Sequence, residues 1–130
     1  MPLAVRSVTI DCADPYRLAR WWCDVFSVPP SPTDFPDDPE AMCALGEGRP
    51  RLLFERVSEP KAGKNRVHID IQAGYERDQE VDRLLDLGAS LVADHRDDDP
   101  GWVVLSDPDG NEFCIERGPV EGGAASTASQ

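Results

Sequence analysis

The sequence predicts an α+β fold: two βαβββ modules whose curved mixed sheets surround a concave cleft. Three observations predict it. The order strand, helix, then a meander of short strands occurs twice. A shift of 61 residues places Ser7 on His68, Ile10 on Ile71, and RLLFE (51–55) on EFCIE (112–116). The chain has 130 residues, enough for one domain that buries most of the apolar surface of its unfolded state. Helices on the outer faces would leave alternate residues of each strand lining the concavity, which is the default ligand site. The domain is expected over 1–118, with half-modules at 4–57 and 66–117 and a disordered tail at 119–130, where small polar residues have little to bury.

The elements follow from local pattern. In AVRSVTIDC (4–12), Val8, Ile10 and Cys12 share one face and Ser7, Thr9 and Asp11 the other, as in a half-buried strand. Asp14 is placed to cap a helix that Pro15 begins, and Leu18, Trp21, Trp22, Val25 and Phe26 recur at helical spacing. At least one of the two tryptophans belongs to the core. VPPSPTDFPDDPE lacks the donors for a regular ladder and allows at most a short edge strand near Thr33. AMCALG (41–46) and RLLFERV (51–57) read as a hairpin. After the connector SEPKAGKNR, RVHIDIQ (66–72) alternates cleanly. EVDRLLDLG is helical and stops at Gly88. ASLVADH, GWVVLS and NEFCIER are strands, the last two joined by DPDGN, in which Pro108 presets a turn and Gly110 accepts a positive φ.

Composition narrows the partners. With 25 acidic against 13 basic side chains the net charge is -12, a field that repels nucleic acid and anionic membranes. The acidic runs Asp37, Asp38, Glu40 and Asp97, Asp98, Asp99 read as solvated loops. No apolar stretch approaches the roughly 20 residues that cross a bilayer, and no leader pattern stands at the start, so the expectation is cytoplasmic. Cys12, Cys23, Cys43 and Cys114 form no CxxC pair and signal neither a zinc knuckle nor a disulfide framework. Cys12 and Cys23 sit among apolar neighbours, as small core residues do.

VTIDCADPYRLARWW, NRVHIDI, LLDLGA and, most specifically, WVVLSDPDGNEFCIE resemble the vicinal oxygen chelate superfamily, which holds glyoxalase I, extradiol dioxygenases, methylmalonyl-CoA epimerase and the bleomycin-resistance proteins. The resemblance covers about residues 4–117. It implies, for metal-dependent members, ligands from the first and last strand of each half-module, which fall near Ser7, Glu55, His68 and Cys114. His68, Glu55 and Cys114 would then hold a divalent ion such as zinc, nickel, manganese or iron. Ser7 departs from the pattern, since a neutral hydroxyl is a poor ligand, and Cys114 stands where a glutamate is usual. Glu116, two residues on along the same strand face, is an alternative donor. His68 equally suits a hydrogen-bonded structural histidine, and Glu55 an exposed strand end. Phe54 and Trp102 lie on cleft-forming strands as candidates for an aromatic wall beside Ser7.

Two functions follow from the resemblance. In one, the protein is a metal-dependent lyase, isomerase or epimerase acting on a small molecule with two adjacent oxygens, with Glu55 or Glu116 exchanging a proton. In the other, a metal-free cleft sequesters a drug or natural product, and the acidic surface draws a cationic ligand. A dioxygenase fits less well, because the other histidine, His95, falls outside the ligand positions. The resemblance also implies a homodimer.

Overall fold

The computed structural model describes residues 2–119 and residue 121. Most of the tail expected at 119–130 lies outside the described residues. The elements are β1 (Ser7–Cys12), α1 (Pro15–Phe26), β2 (Glu40–Cys43), β3 (Arg51–Arg56), β4 (Ile69–Gln72), α2 (Arg77–Leu87), β5 (Ser90–Asp94), β6 (Trp102–Ser106) and β7 (Glu112–Glu116). They form two compact units, Met1–Lys61 and Ala62–Gln130, each with a mixed sheet and one helix, so the α+β class is observed. No described helix is long and apolar enough to cross a membrane.

In the first unit the strand order is β1-β3-β2, with β1 parallel and β2 antiparallel to β3. The register aligns Val8, Leu52 and Cys43 in one row and Ile10, Phe54 and Ala41 in another. These rows face the core, where Leu52, Phe54, Ala41 and Cys43 are buried, and α1 packs against β2 and β3. The α1 helix starts where the Asp14 carboxylate accepts from the Arg17 N–H at 3.3 Å and Pro15 needs no donor. It ends at Ser27, whose left-handed backbone (φ 55°) returns its N–H to Asp24 and lets Val28 bond back to Cys23. Of the two tryptophans, Trp22 fills the core, with Trp21 edge-on to it at 5.2 Å. Cys12 and Cys23 are core residues as their neighbours suggested.

The edge strand allowed near Thr33 does not form. Thr33 lies in a turn, and the outward N–H of Met42 on β2 is taken instead by the Asp34 carboxylate at 3.0 Å. Five prolines between positions 29 and 39 withhold the N–H groups a neighbouring strand would need, so a side chain satisfies the edge. The first sheet therefore has three strands where the module pattern has four.

The second unit completes the pattern, in the order β4-β7-β6-β5, with β4 parallel to β7 and the other pairs antiparallel. Its register repeats the first unit: Ile10 pairs Phe54, and 61 residues later Ile71 pairs Ile115. Phe113, Ile115, Val103 and Leu105 are buried on one face, and α2 contributes Val81 and Leu84. Gly88 closes α2 in the left-handed region at φ 114°, as its position predicted. The strand read over 66–72 begins only at Ile69, which leaves His68 immediately ahead of it.

The DPDGN hairpin is held by one buried carboxylate. Asp107, 3% exposed, accepts at Oδ1 from the backbone N–H groups of Asp109 and Asn111, both at 2.9 Å, while the Asn111 amide reaches Oδ2 at 3.0 Å. Asp107→Ala would strand these donors, and urea denaturation is expected to show a loss of about 1–3 kcal/mol. Asp107→Asn, which keeps an acceptor, should lose less.

Candidate functional site

Alternation along β7 separates two faces. Phe113 and Ile115 go to the core, while Glu112, Cys114 and Glu116 go to the other side. The register then builds rows across that open face. Asp70, Cys114, Val104 and Ala93 stand side by side, and Gln72, Glu116 and Trp102 form the next row. His95, just past β5, exchanges backbone hydrogen bonds with Trp102 and extends the second row, its ring stacked on the indole at 4.6 Å and 23°.

At the β4 end of this face, His68, Asp70 and Cys114 converge. One ligand atom from each lies within 4.8 Å of the others, and the His68 Nδ1 is 3.3 Å from the Asp70 carboxylate. The imidazole and carboxylate are open to solvent, at 41% and 40%, whereas Cys114 is 7% exposed. The approach to His68 is fixed from β7, because the Glu112 carboxylate accepts from the Asn65 N–H at 3.0 Å in the connector just ahead.

Burial, followed by the negative charge of Asp70 and a hydrogen bond to it, pushes the Cys114 thiol up to about 11. At neutral pH the sulfur therefore carries its proton and donates it to Asp70. The nearby Glu116 charge acts in the same direction, and Lys64 opposes it.

The sequence-derived candidates distribute as follows. His68 and Cys114 come together, and the third donor beside them is Asp70, which is not among the sequence-derived candidates. Its signal was present in RVHIDIQ, where the residue two after His68 must share its face. Glu116 and Trp102 are paired neighbours, half-buried, one row away. Glu55 belongs to the first unit, half-buried on β3 in a row with Asp11 and Glu40. Ser7, also in the first unit, has its hydroxyl engaged by the Arg51 guanidinium at 2.9 Å. Phe54 is corrected outright: it is 0% exposed and fills the core, because its strand position alternates with Glu55 toward the helix side rather than the open face. His95, outside the ligand positions that the resemblance implies, also stands outside the three-donor cluster, but its pairing with Trp102 brings it onto the same face.

Replacing Asp70 by Asn removes a charge that raises the Cys114 thiol. The thiol should fall from about 11 yet stay above its ordinary value, since burial is the larger cause. More thiolate is then present in mildly alkaline buffer. Peptide-resolved iodoacetamide labelling of chelator-treated protein is expected to show faster alkylation of Cys114, with Cys12, Cys23 and Cys43 unchanged.

Comparison with known proteins agrees with this architecture. A family model described as a glyoxalase-like domain matches residues 7–116. No curated protein matches the chain. Among solved structures, the fosfomycin resistance protein FosX from Mesorhizobium loti is similar at 18% identity, covering 100% of both chains with a TM-score of 0.67. A variant of FosX from Listeria monocytogenes, complexed with Mn(II) and 1S,2S-dihydroxypropylphosphonic acid, is 15% identical over 93% of this chain and 96% of its own, with a TM-score of 0.67. A glyoxalase/bleomycin resistance protein/dioxygenase family enzyme from Burkholderia phytofirmans is 19% identical over 87% and 97%, with a TM-score of 0.69. Sequence match, duplicated register and shared fold together make the chain a member of the glyoxalase-like domain family, within the vicinal oxygen chelate superfamily.

Proposed function

We propose that the protein binds a small molecule on the open face of its second sheet and acts on it as a metal-dependent lyase or isomerase. The observation that carries this reading is the convergence of His68, Asp70 and Cys114 at the start of that face. Nitrogen, carboxylate oxygen and sulfur are ordinary donors for a divalent ion, and three protein donors leave positions open for a ligand. The Mn(II) and diol phosphonate held by the Listeria relative support it by kinship of fold.

A divalent ion held by His68, Asp70 and Cys114 would supply Lewis-acid polarisation of an oxygen-bearing substrate. The chain's own residues do the rest. The Asp70 carboxylate, 3.3 Å from the His68 Nδ1, keeps the imidazole beside Cys114, and in a loaded site each of the three would turn one donor atom to the ion. Glu116, one row along on the same face, is the carboxylate that would take a proton from a substrate carbon and return it. Trp102 pairs with Glu116 across the strands and, with His95 stacked on it, would wall that row. Exposed Leu91 and Val92 on the edge strand β5 support a homodimer, which light scattering would reveal as twice the chain mass.

Protein purified without chelator is expected to carry about one divalent ion per chain and to melt higher with it than without. His68→Ala should lose both the ion and the thermal shift. Glu116→Gln should keep the ion and lower turnover by about 10²–10⁴-fold. Equal losses from Glu55→Gln and Glu116→Gln would contradict the assignment of the proton carrier to Glu116.

The stacked His95 and Trp102 pair favours a second reading, sequestration of a planar compound without turnover. In that case phenol should bind more tightly than cyclohexanol of similar size, and Trp102→Leu should erase the difference. Binding of cationic ring compounds should weaken as salt is raised, given the net charge of -12.

A further inference from the structure

We infer that the second unit's cluster selects a thiophilic divalent ion of the zinc and cobalt class through the sulfur of Cys114, unlike the Mn(II) held by the Listeria relative. The inference rests on the reading of His68, Asp70 and Cys114 as a metal site and goes further by naming the ion class and the residue that sets it.

The argument begins with which face each cysteine occupies. Cys43 sits in a row with Val8 and Leu52, directed at the core, and Cys12 and Cys23 are likewise buried in the first unit. Each fills apolar volume, as free cysteines commonly do. Cys114 is on the other kind of face. Its neighbours along β7, Phe113 and Ile115, point to the core, while its own side shares a row with Asp70 and lies between Glu112 and Glu116. A cysteine serving only as a small core residue would alternate with the polar positions. This one is among them.

Burial and exposure are divided in a way that suits a metal centre. Cys114 is 7% exposed, while the side chains of the two donors beside it are 41% and 40% exposed. A divalent ion held here would have His68 and Asp70 as its solvent-exposed donors and Cys114 as its buried one, the thiol giving up its proton when the sulfur binds. Hard cations such as Mn(II) and Mg(II) favour oxygen donors, and this set offers one carboxylate, one imidazole and one sulfur. Thiolate and imidazole together favour zinc, and cobalt(II) takes the same donors.

Zinc binds more tightly than manganese at most sites whatever the donors, so selectivity must be read against a variant that differs only in the sulfur. The full-length protein is stripped with chelator and dialysed against equal zinc and manganese, then separately titrated with cobalt(II). The expected result is zinc at about one per chain. Cobalt should give a near-ultraviolet sulfur-to-metal charge-transfer band that is absent in Cys114→Ala. In Cys114→Glu, checked for fold by circular dichroism, the zinc-to-manganese ratio should fall by at least about tenfold, of the order by which single groups around a metal tune its affinity. Should Cys114→Glu not fold, Cys114→Ser serves in its place, with the same fall and the same missing band.

Three outcomes overturn the inference alone: cobalt bound without the sulfur band, a band that survives Cys114→Ala, or a zinc-to-manganese ratio unchanged by the substitution. Failure of every ion to bind would instead overturn the metal reading of the site itself, and this inference with it.

Discussion

The parallel pairing of β4 with β7 is the constraint on which the candidate site depends. Asp70 stands opposite Cys114 only in the observed register, and His68 reaches them only because it directly precedes the strand. A slip of one residue would turn the whole open face into the core and expose Phe113 and Ile115. The apolar rows therefore fix the polar ones: Phe113, Ile115, Val103 and Leu105 are each at most 1% exposed, and burying them permits one alignment.

The same constraint acts twice, with different chemistry. Both units pair their first strand parallel to their last in a register that repeats after 61 residues, so the folding frame is shared. The core faces are alike because dense packing admits few substitutes. The open faces have diverged. In the first unit Ser7 is bound by Arg51, and Asp11, Glu55 and Glu40 form an acidic row whose like charges repel across the strands. In the second unit the corresponding end carries His68, Asp70 and Cys114. A common scaffold carries different sites because only one face of each sheet is committed to stability.

Cysteine shows how strongly the face decides a residue's chemistry. Burial pushes Cys43 far up, and its sulfur neighbour Cys23 also raises it; both are thiols fixed in an apolar core. Cys114 is raised as well, first by burial but next by Asp70. What holds its proton includes a carboxylate that can serve as a fellow ligand. Sulfur, carboxylate and imidazole thus gather within 4.8 Å of one another on this face.

The amino-acid sequence by itself determined the local elements. Period-two and helical spacing, Asp14 with Pro15, Gly88 and the DPDGN turn each act over a few residues, and the duplication is visible because each copy must fill a core of the same pattern. His68 and Cys114 stood out only through what the resemblance to the vicinal oxygen chelate superfamily implies for metal-dependent members. Tertiary structure decided the rest. Asp70 met Cys114, 44 positions away, only through the β4–β7 pairing, His95 met Trp102 only through the β5–β6 register, and Phe54 went to the core because β3 turns that face toward α1. Prolines around Thr33 stopped a strand whose place was taken by the Asp34 side chain. Strand alternation tells which residues share a face, but which face meets the helix, and which residues of distant strands become neighbours, is settled only when the sheet pairs and its apolar side is buried.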